Sequence, residues 1–294
     1  MRFISGPILT RNLLVCFMRL IKLLLFMVGV VLLVAGCTAQ KKPDYKIVFL
    51  HGGPSHYPGV HEFRAGVMIL AKALNEQSGL SVNAVINAGW PEDESILDDA
   101  DAVIFYNDAT KIVENGWEKV DALAEKGVGL MFIHYAVHPN IDDGQKYFAP
   151  WIGGFMETGF SANPHWVANL NGKSGHPVSN GVDYPIRVLD EFYYNMRFPK
   201  ELPGERHDLV TAVPCKECFH RIINMWTKEA IEGVGKSQTL MWCYERPNGG
   251  RGVGFTGGHY HYNWGIDDFR KNVLNAIVWV AGMDVPEDGV KSLP

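Results

Sequence analysis

Apolar residues along the chain fall in short blocks separated by glycine-, proline- and polar-rich breaks, and each block carries the period of one element. The run Tyr45-Lys46-Ile47-Val48-Phe49-Leu50 predicts a short buried strand, closed by the loop His51 to Gly59. Phe63, Val67, Leu70, Ala71 and Leu74 recur at helical spacing, so a helix is expected from about Val60 to Asn75 with that face on a sheet. Ser81 to Ile86 and Asp101 to Tyr106 predict two further strands. Glu114 to Lys126 reads as a helix stopped by Gly127, and Val128 to Ile133 as a fourth strand running into His134. After a long break, Thr239 to Tyr244 and Gly252 to Phe255 predict a strand pair turning at Pro247-Asn248-Gly249-Gly250. Asp267 to Ala281 predicts a closing helix that packs on Phe269, Val273, Ile277 and Val280.

Strands alternating with helices argue for an α/β fold with a doubly wound, mostly parallel sheet. The break, about 139–236, holds Gly, Pro, Asn and aromatics without a period and is expected to be a long irregular insertion. No internal repeat and no low-complexity segment is visible.

The first 36 residues stand apart. They contain Arg2, Arg11, Arg19 and Lys22, no acidic residue, and an apolar core from Leu23 to Leu33. They close on Val34-Ala35-Gly36-Cys37, which predicts a lipoprotein signal peptide over 1–36, lipid on Cys37 and a tether over 37–44. Met18 is an alternative start. The other reading, an uncleaved anchor, meets an apolar stretch shorter than the ~20 residues a spanning helix needs. The cell envelope is the expected location, with Thr38 after Cys37 placing no aspartate there and favouring the outer membrane over the inner. The domain proper is then 45–289. Without the signal, 23 basic residues face 32 acidic ones, about −9, and no Lys/Arg run occurs, which argues against nucleic acid as a partner.

Candidate chemistry gathers where predicted strands end, the edge at which open α/β sheets bind ligands. His56 and His61 follow the first strand, His134 the fourth, and His259 and His261 the last. If the segment is extended, His259 and His261 share a face. The insertion adds Asn163-Pro164-His165-Trp166 and Asp190-Glu191. Imidazoles and carboxylates on separate loops can converge as ligands of a divalent metal such as zinc or as an acid/base set. The opposing readings are helix capping for His56 and His61, a satisfied core histidine for His134, and a solvated pair for Asp190 and Glu191. His138, His176, His207 and His220 read as surface residues. Trp90, Trp166 and Trp264 are either stacking faces for a ligand or core. Cys215 and Cys218 are read as a disulfide or free pair, or else half a metal site, since a zinc site usually needs a second pair. Glycines 250, 252 and 254 do not open a helix, so no dinucleotide fingerprint exists and no nucleotide is expected. No Gly-x-Ser-x-Gly elbow is present either.

Seven motifs in order complete the picture: Ser55-His56 with His61-Glu62, His134-Tyr135-Ala136-Val137, Trp151-Ile152-Gly153-Gly154, Asn163-Pro164-His165-Trp166, Asp190-Glu191 with Tyr194, Tyr244-Glu245-Arg246-Pro247, and Gly257-Gly258-His259 with His261. Together they resemble the ThuA-like (trehalose utilisation) family over about 45–289. The resemblance implies a class I glutamine amidotransferase-like, flavodoxin-like fold. It also implies bacterial sugar catabolism, alongside an oxidoreductase that forms keto sugars. Where amidotransferases carry a cysteine at the turn after a strand, this chain has Ile133-His134-Tyr135, which excludes thiol-based glutamine hydrolysis.

The function expected from residues and resemblance is an exported, metal-assisted enzyme acting on a carbohydrate, a keto-glycoside in particular, by isomerisation, elimination or hydrolysis. Its catalytic candidates are His134, Glu191, His259 and His261. Its metal candidates are His56, His61, His134, His259 and His261, and its substrate-binding candidates His165, Trp166, Tyr194, Arg246 and Trp264. The alternatives are a non-catalytic carbohydrate-binding lipoprotein and a metal-scavenging or structural protein.

Overall fold

The structure is a computed structural model that describes residues 45–221 and 227–293. The expected signal peptide, Cys37 and the tether therefore lie outside the described residues. Among the described residues ten strands form one sheet: β1 (Tyr45–His51), β2 (Val82–Ala88), β3 (Ala102–Tyr106), β4 (Gly129–Ile133), β5 (His165–Gly172), β6 (Ile186–Asp190), β7 (Glu205–Ala212), β8 (Phe219–Arg221), β9 (Gln238–Glu245) and β10 (Arg251–Phe255). Among the described residues the three longest α-helices are α1 (Phe63–Lys72), α2 (Trp117–Glu125) and α3 (Asp267–Val280).

The strand order is β2-β1-β3-β4-β10-β9-β7-β5-β6, with β8 against β5. The first five run parallel. All five residues of β3 and of β4 are buried. Their unbroken apolar runs are what a strand covered on both faces requires. Ile47 and Phe49 of β1 pack with α1 and α3 on one face, while Val48 and Leu50 pack with α2 and Trp151 on the other. The helix faces expected from periodicity, Phe63 to Leu74 and Phe269 to Val280, are both in the core.

The expectation of a mostly parallel sheet needs correcting. Gly249, at φ +84°, turns the chain between β9 and β10, and from that hairpin outward every pairing is antiparallel. The sheet is mixed. The stretch 139–236 is likewise no mere loop, because it supplies β5 to β8 and so builds the antiparallel half. Its strands pair with partners far along the chain, so no local period announced them; β7 pairs β9 with register shifts at Asp208 and Val210.

This topology positions the site. Since β1, β3, β4 and β10 point the same way, the residues that follow them meet at one edge of the sheet, and β6 delivers Asp190 and Glu191 toward the same edge.

Candidate functional site

Each histidine at that edge is set by local backbone. His134 ends β4 in the left-handed region at φ 56°, where a 3-10 turn (His134–Val137) begins. His61 also has positive φ, 50°. Left-handed non-glycine residues are uncommon and cluster where surroundings impose them. For His61 the imposition is visible: its N–H donates to the His259 carbonyl at 3.1 Å, and Val60 bridges Tyr260. Gly258, at φ +110°, starts the loop that carries His259. Asp190 is fully buried and collects the N–H groups of Gly258, His259 and Tyr260 at 2.7, 3.0 and 3.2 Å. It is a loop anchor and not half of a solvated pair.

The side chains converge. His61 Nε2 lies 3.0 Å from His134 Nε2, and His259 Nδ1 lies 3.2 Å from His134 Nε2. Glu191 Oε2 lies 3.0 Å from His259 Nδ1 and 3.4 Å from His134 Nε2. All four residues are buried, and their ligand atoms lie within 4.8 Å of one another.

The surrounding groups settle which ring nitrogens carry hydrogen. His134 Nδ1 faces the Thr256 carbonyl at 2.9 Å, so it donates there and turns Nε2 into the cluster. Ser55 Oγ donates to Asp108 Oδ1 at 2.6 Å, which leaves its lone pairs to accept from His61 Nδ1 at 2.8 Å and His56 Nδ1 at 3.0 Å. His61 Nδ1 also lies 3.2 Å from Asp108 Oδ1. His61 thus turns Nε2 into the cluster, while His56 is exposed outside it. Burial first, with the neighbouring histidines, lowers His61 to about 4 against the pull of Asp108, so it is neutral at pH 7. Burial alone would raise the Glu191 carboxyl; contacts with His134 and His259 outweigh that and hold it below the ordinary carboxylate range. Despite burial, hydrogen bonds from His61, Ser55 and Lys111 hold Asp108 at about 2.

His165 belongs to the same site. Its Nε2 lies 3.6 Å from Glu191 Oε1 and its Nδ1 2.8 Å from Tyr260 Oη, while Asn163 Nδ2 donates to Glu191 Oε1 at 2.8 Å. Burial lowers His165 to about 4, the Glu191 charge opposing. Beside Ser55 and Asp108 a cleft of about 580 Å3 opens, lined by Gly52, Gly53, Asn107 and Lys111 among others.

Several sequence candidates are not brought together. His261 starts a separate 3-10 helix (His261–Gly265), which breaks the alternation expected of an extended segment, and it lines a groove with Met68 and Ile69 of α1. Trp166 is fully buried and donates to the Phe192 carbonyl at 3.0 Å; Tyr194 is equally buried and donates to Ala230 at 2.8 Å. Trp264 packs on Tyr106 and Phe269 in the core. Arg246 sits at the opposite end of the sheet, where its guanidinium donates to the carbonyls of Trp151, Arg251 and Val128. All four are buried and lie apart from the histidine cluster's contacts. Cys215 and Cys218 are free thiols, Cys218 donating to the Cys215 carbonyl at 2.8 Å. Sequence reasoning missed Asp108 and Thr256, although Asp108 follows the end of β3 and obeys the rule that found His134.

Comparison with known proteins places this architecture. A ThuA-like protein from Bacteroides uniformis is similar at 18% identity and TM-score 0.58, over 83% of this chain and 94% of that one. One from Parabacteroides merdae is similar at 17% identity and TM-score 0.57, over 86% and 98%. These likenesses concern the fold. A fainter one, to the glutaminase domain of Trypanosoma brucei CTPS with bound acivicin, has 9% identity and TM-score 0.42 over 85% and 100%, too slight to argue from. No curated protein matches the chain significantly. The family model described as ThuA, trehalose utilisation, matches residues 48–280, and the chain belongs to that family, which suggests a role in sugar metabolism.

Proposed function

We propose that the protein is a carbohydrate-active enzyme in which His61, His134, His259 and Glu191 hold a divalent metal ion, and that its substrate is an oxidised (keto) glycoside. One observation carries the reading: two buried imidazoles, oriented through Nδ1 by Asp108, Ser55 and Thr256, turn their Nε2 atoms toward each other 3.0 Å apart, beside a carboxylate oxygen. Two ring nitrogens at that distance need a cation or a proton between them. Ligand atoms about 2.1 Å from an ion stand roughly 3.0–3.4 Å apart, the spacing seen here. The Asp108 and Thr256 contacts are the outer partners that metal-binding histidines characteristically have.

When bound, a divalent ion polarises a ketone oxygen or activates water. The chain's own residues do the rest. Glu191 offsets part of the ion's charge through Oε2, while Asn163 fixes Oε1. His56 is exposed and its Nδ1 is taken by Ser55, so its Nε2 is free to accept a proton from a carbon next to the ketone or from water. In this reading His56 is a base and not a ligand, since the Ser55 hydroxyl already satisfies the group formed by His56, His61 and Asp108. A protein that merely held a sugar would need no convergent ring nitrogens, which sets the non-catalytic alternative second. The substrate's chemistry requires an oxidoreductase that first converts a ring hydroxyl to a ketone. The basic, apolar and Gly36-Cys37 pattern supports an envelope lipoprotein.

The test is metal content of the purified protein beside His134→Ala and His259→Ala, followed by consumption of 3-keto glucosides by the metal-loaded protein. Near-stoichiometric zinc or manganese in the parent, lost in both variants together with turnover, is expected. A parent free of metal after chelator-free purification would sink the reading.

A further inference from the structure

Among the described Phe, Tyr and Trp residues only two are exposed, Tyr57 at 58% and Tyr262 at 57%. Scattered exposed apolar residues need no explanation, but these two come from different loops that are tied to each other. Tyr262 stacks on Tyr260, ring centroids 5.2 Å apart and planes 19° from parallel. Tyr57 lies on the neighbouring loop, its carbonyl accepting from the Val60 N–H at 3.2 Å, and Val60 bridges Tyr260. The two loops are tied by the Val60–Tyr260 bridge and by the His261 N–H donating to Gly59 at 2.9 Å, so their backbones are held together before any ligand arrives. Tyr260 Oη in turn bonds His165 Nδ1, whose other nitrogen faces Glu191. His56, next to Tyr57, has its ring 5.9 Å from that of His259. The tyrosines therefore stand at the rim of the histidine cluster.

We propose that Tyr57, Tyr260 and Tyr262 form a stacking platform for a pyranose ring of the substrate, delivering it to the buried cluster. A pyranose has an apolar C–H face edged by hydroxyls, and tyrosine has an apolar body with a polar tip, so the two match face to face and rim to rim. Trp166 and Trp264 cannot take this part, because both are buried. The inference rests on the carbohydrate reading given above and adds where, and by which surface, the sugar binds.

The experiment titrates metal-loaded protein with methyl α- and β-glucopyranoside, trehalose and their 3-keto counterparts, followed by saturation-transfer NMR and tyrosine fluorescence. Tyr57→Ala and Tyr262→Ala should each weaken binding about tenfold, Tyr57→Phe and Tyr262→Phe less than about twofold, with metal content unchanged throughout. Alanine variants that bind as the parent does overturn the platform and leave the enzyme reading standing. Phenylalanine variants that lose as much as alanine also overturn it, since stacking needs only the ring. A parent that holds its ion yet binds none of these sugars overturns the platform and the carbohydrate substrate together.

Discussion

Asp108→Asn tests the tautomer argument without touching a proposed ligand. Asp108 Oδ1 accepts from Ser55 at 2.6 Å and lies 3.2 Å from His61 Nδ1; Oδ2 lies 3.2 Å from Lys111 Nζ. The amide keeps the shape, removes the charge, and offers hydrogens where a carboxylate accepted them. His61 then loses the partner that keeps its proton on Nδ1 and its lone pair on Nε2. Losing an outer partner of a metal-binding histidine typically costs 10–100-fold in affinity, about 1.4–2.7 kcal/mol. Solvent screening should take little from that figure, because the His61 and Asp108 side chains are only 2% and 9% exposed. Since the Asp108 carboxyl is held at about 2, the penalty should be flat between pH 6 and 8. Competition for zinc against a fluorescent chelator measures it, with circular dichroism checking the fold. Long-range 1H–15N NMR of the metal-free protein should show the His61 proton on Nδ1 in the parent. Affinity within twofold of the parent, or an Nε2–H tautomer in the parent, would refute the reasoning.

Other outcomes follow from the same structure. His138 and His176 lie outside the proposed ligand set, and burial lowers both to about 4, so the unfolded chain binds more protons than the native one below about pH 6.5. Stability should therefore fall as pH drops from 6.5 toward 4, by at most about 1.4 kcal/mol per pH unit for each, reduced by their partial exposure. Urea midpoints across that range check it, and the slope should shrink in His176→Gln. Gly254→Ala would set a Cβ 2.1 Å from Trp242 Cζ2, and Trp242 is pinned by its bond to the Ile152 carbonyl at 2.7 Å. A loss of about 1–3 kcal/mol or more is expected in the urea midpoint. Arg246→Met should cost at least about 2 kcal/mol, because it orphans buried carbonyls, yet leave metal content unchanged. Sugar binding lost at full stability would restore it as a substrate contact.

The chain by itself determined the parallel half. Apolar runs such as Ile47 to Leu50 and the spacing of Phe63, Val67 and Leu70 are local signals, and the elements formed within a few residues of where those signals place them. It also determined that histidines would sit where strands end, since His134 directly follows β4. Its motifs were enough to indicate the family. Tertiary structure alone decided the rest. The strands between residues 139 and 236 are stabilised by partners far along the chain, such as β7 against β9, and their sequences carry no period of their own. Only packing separated His259 from His261, which are two residues apart but end on different surfaces once the backbone turns into a 3-10 helix. Only packing buried Trp166 and Tyr194 and left Tyr57 and Tyr262 open. An aromatic residue's chemistry is local, but which face it shows to water is set by every element folded around it.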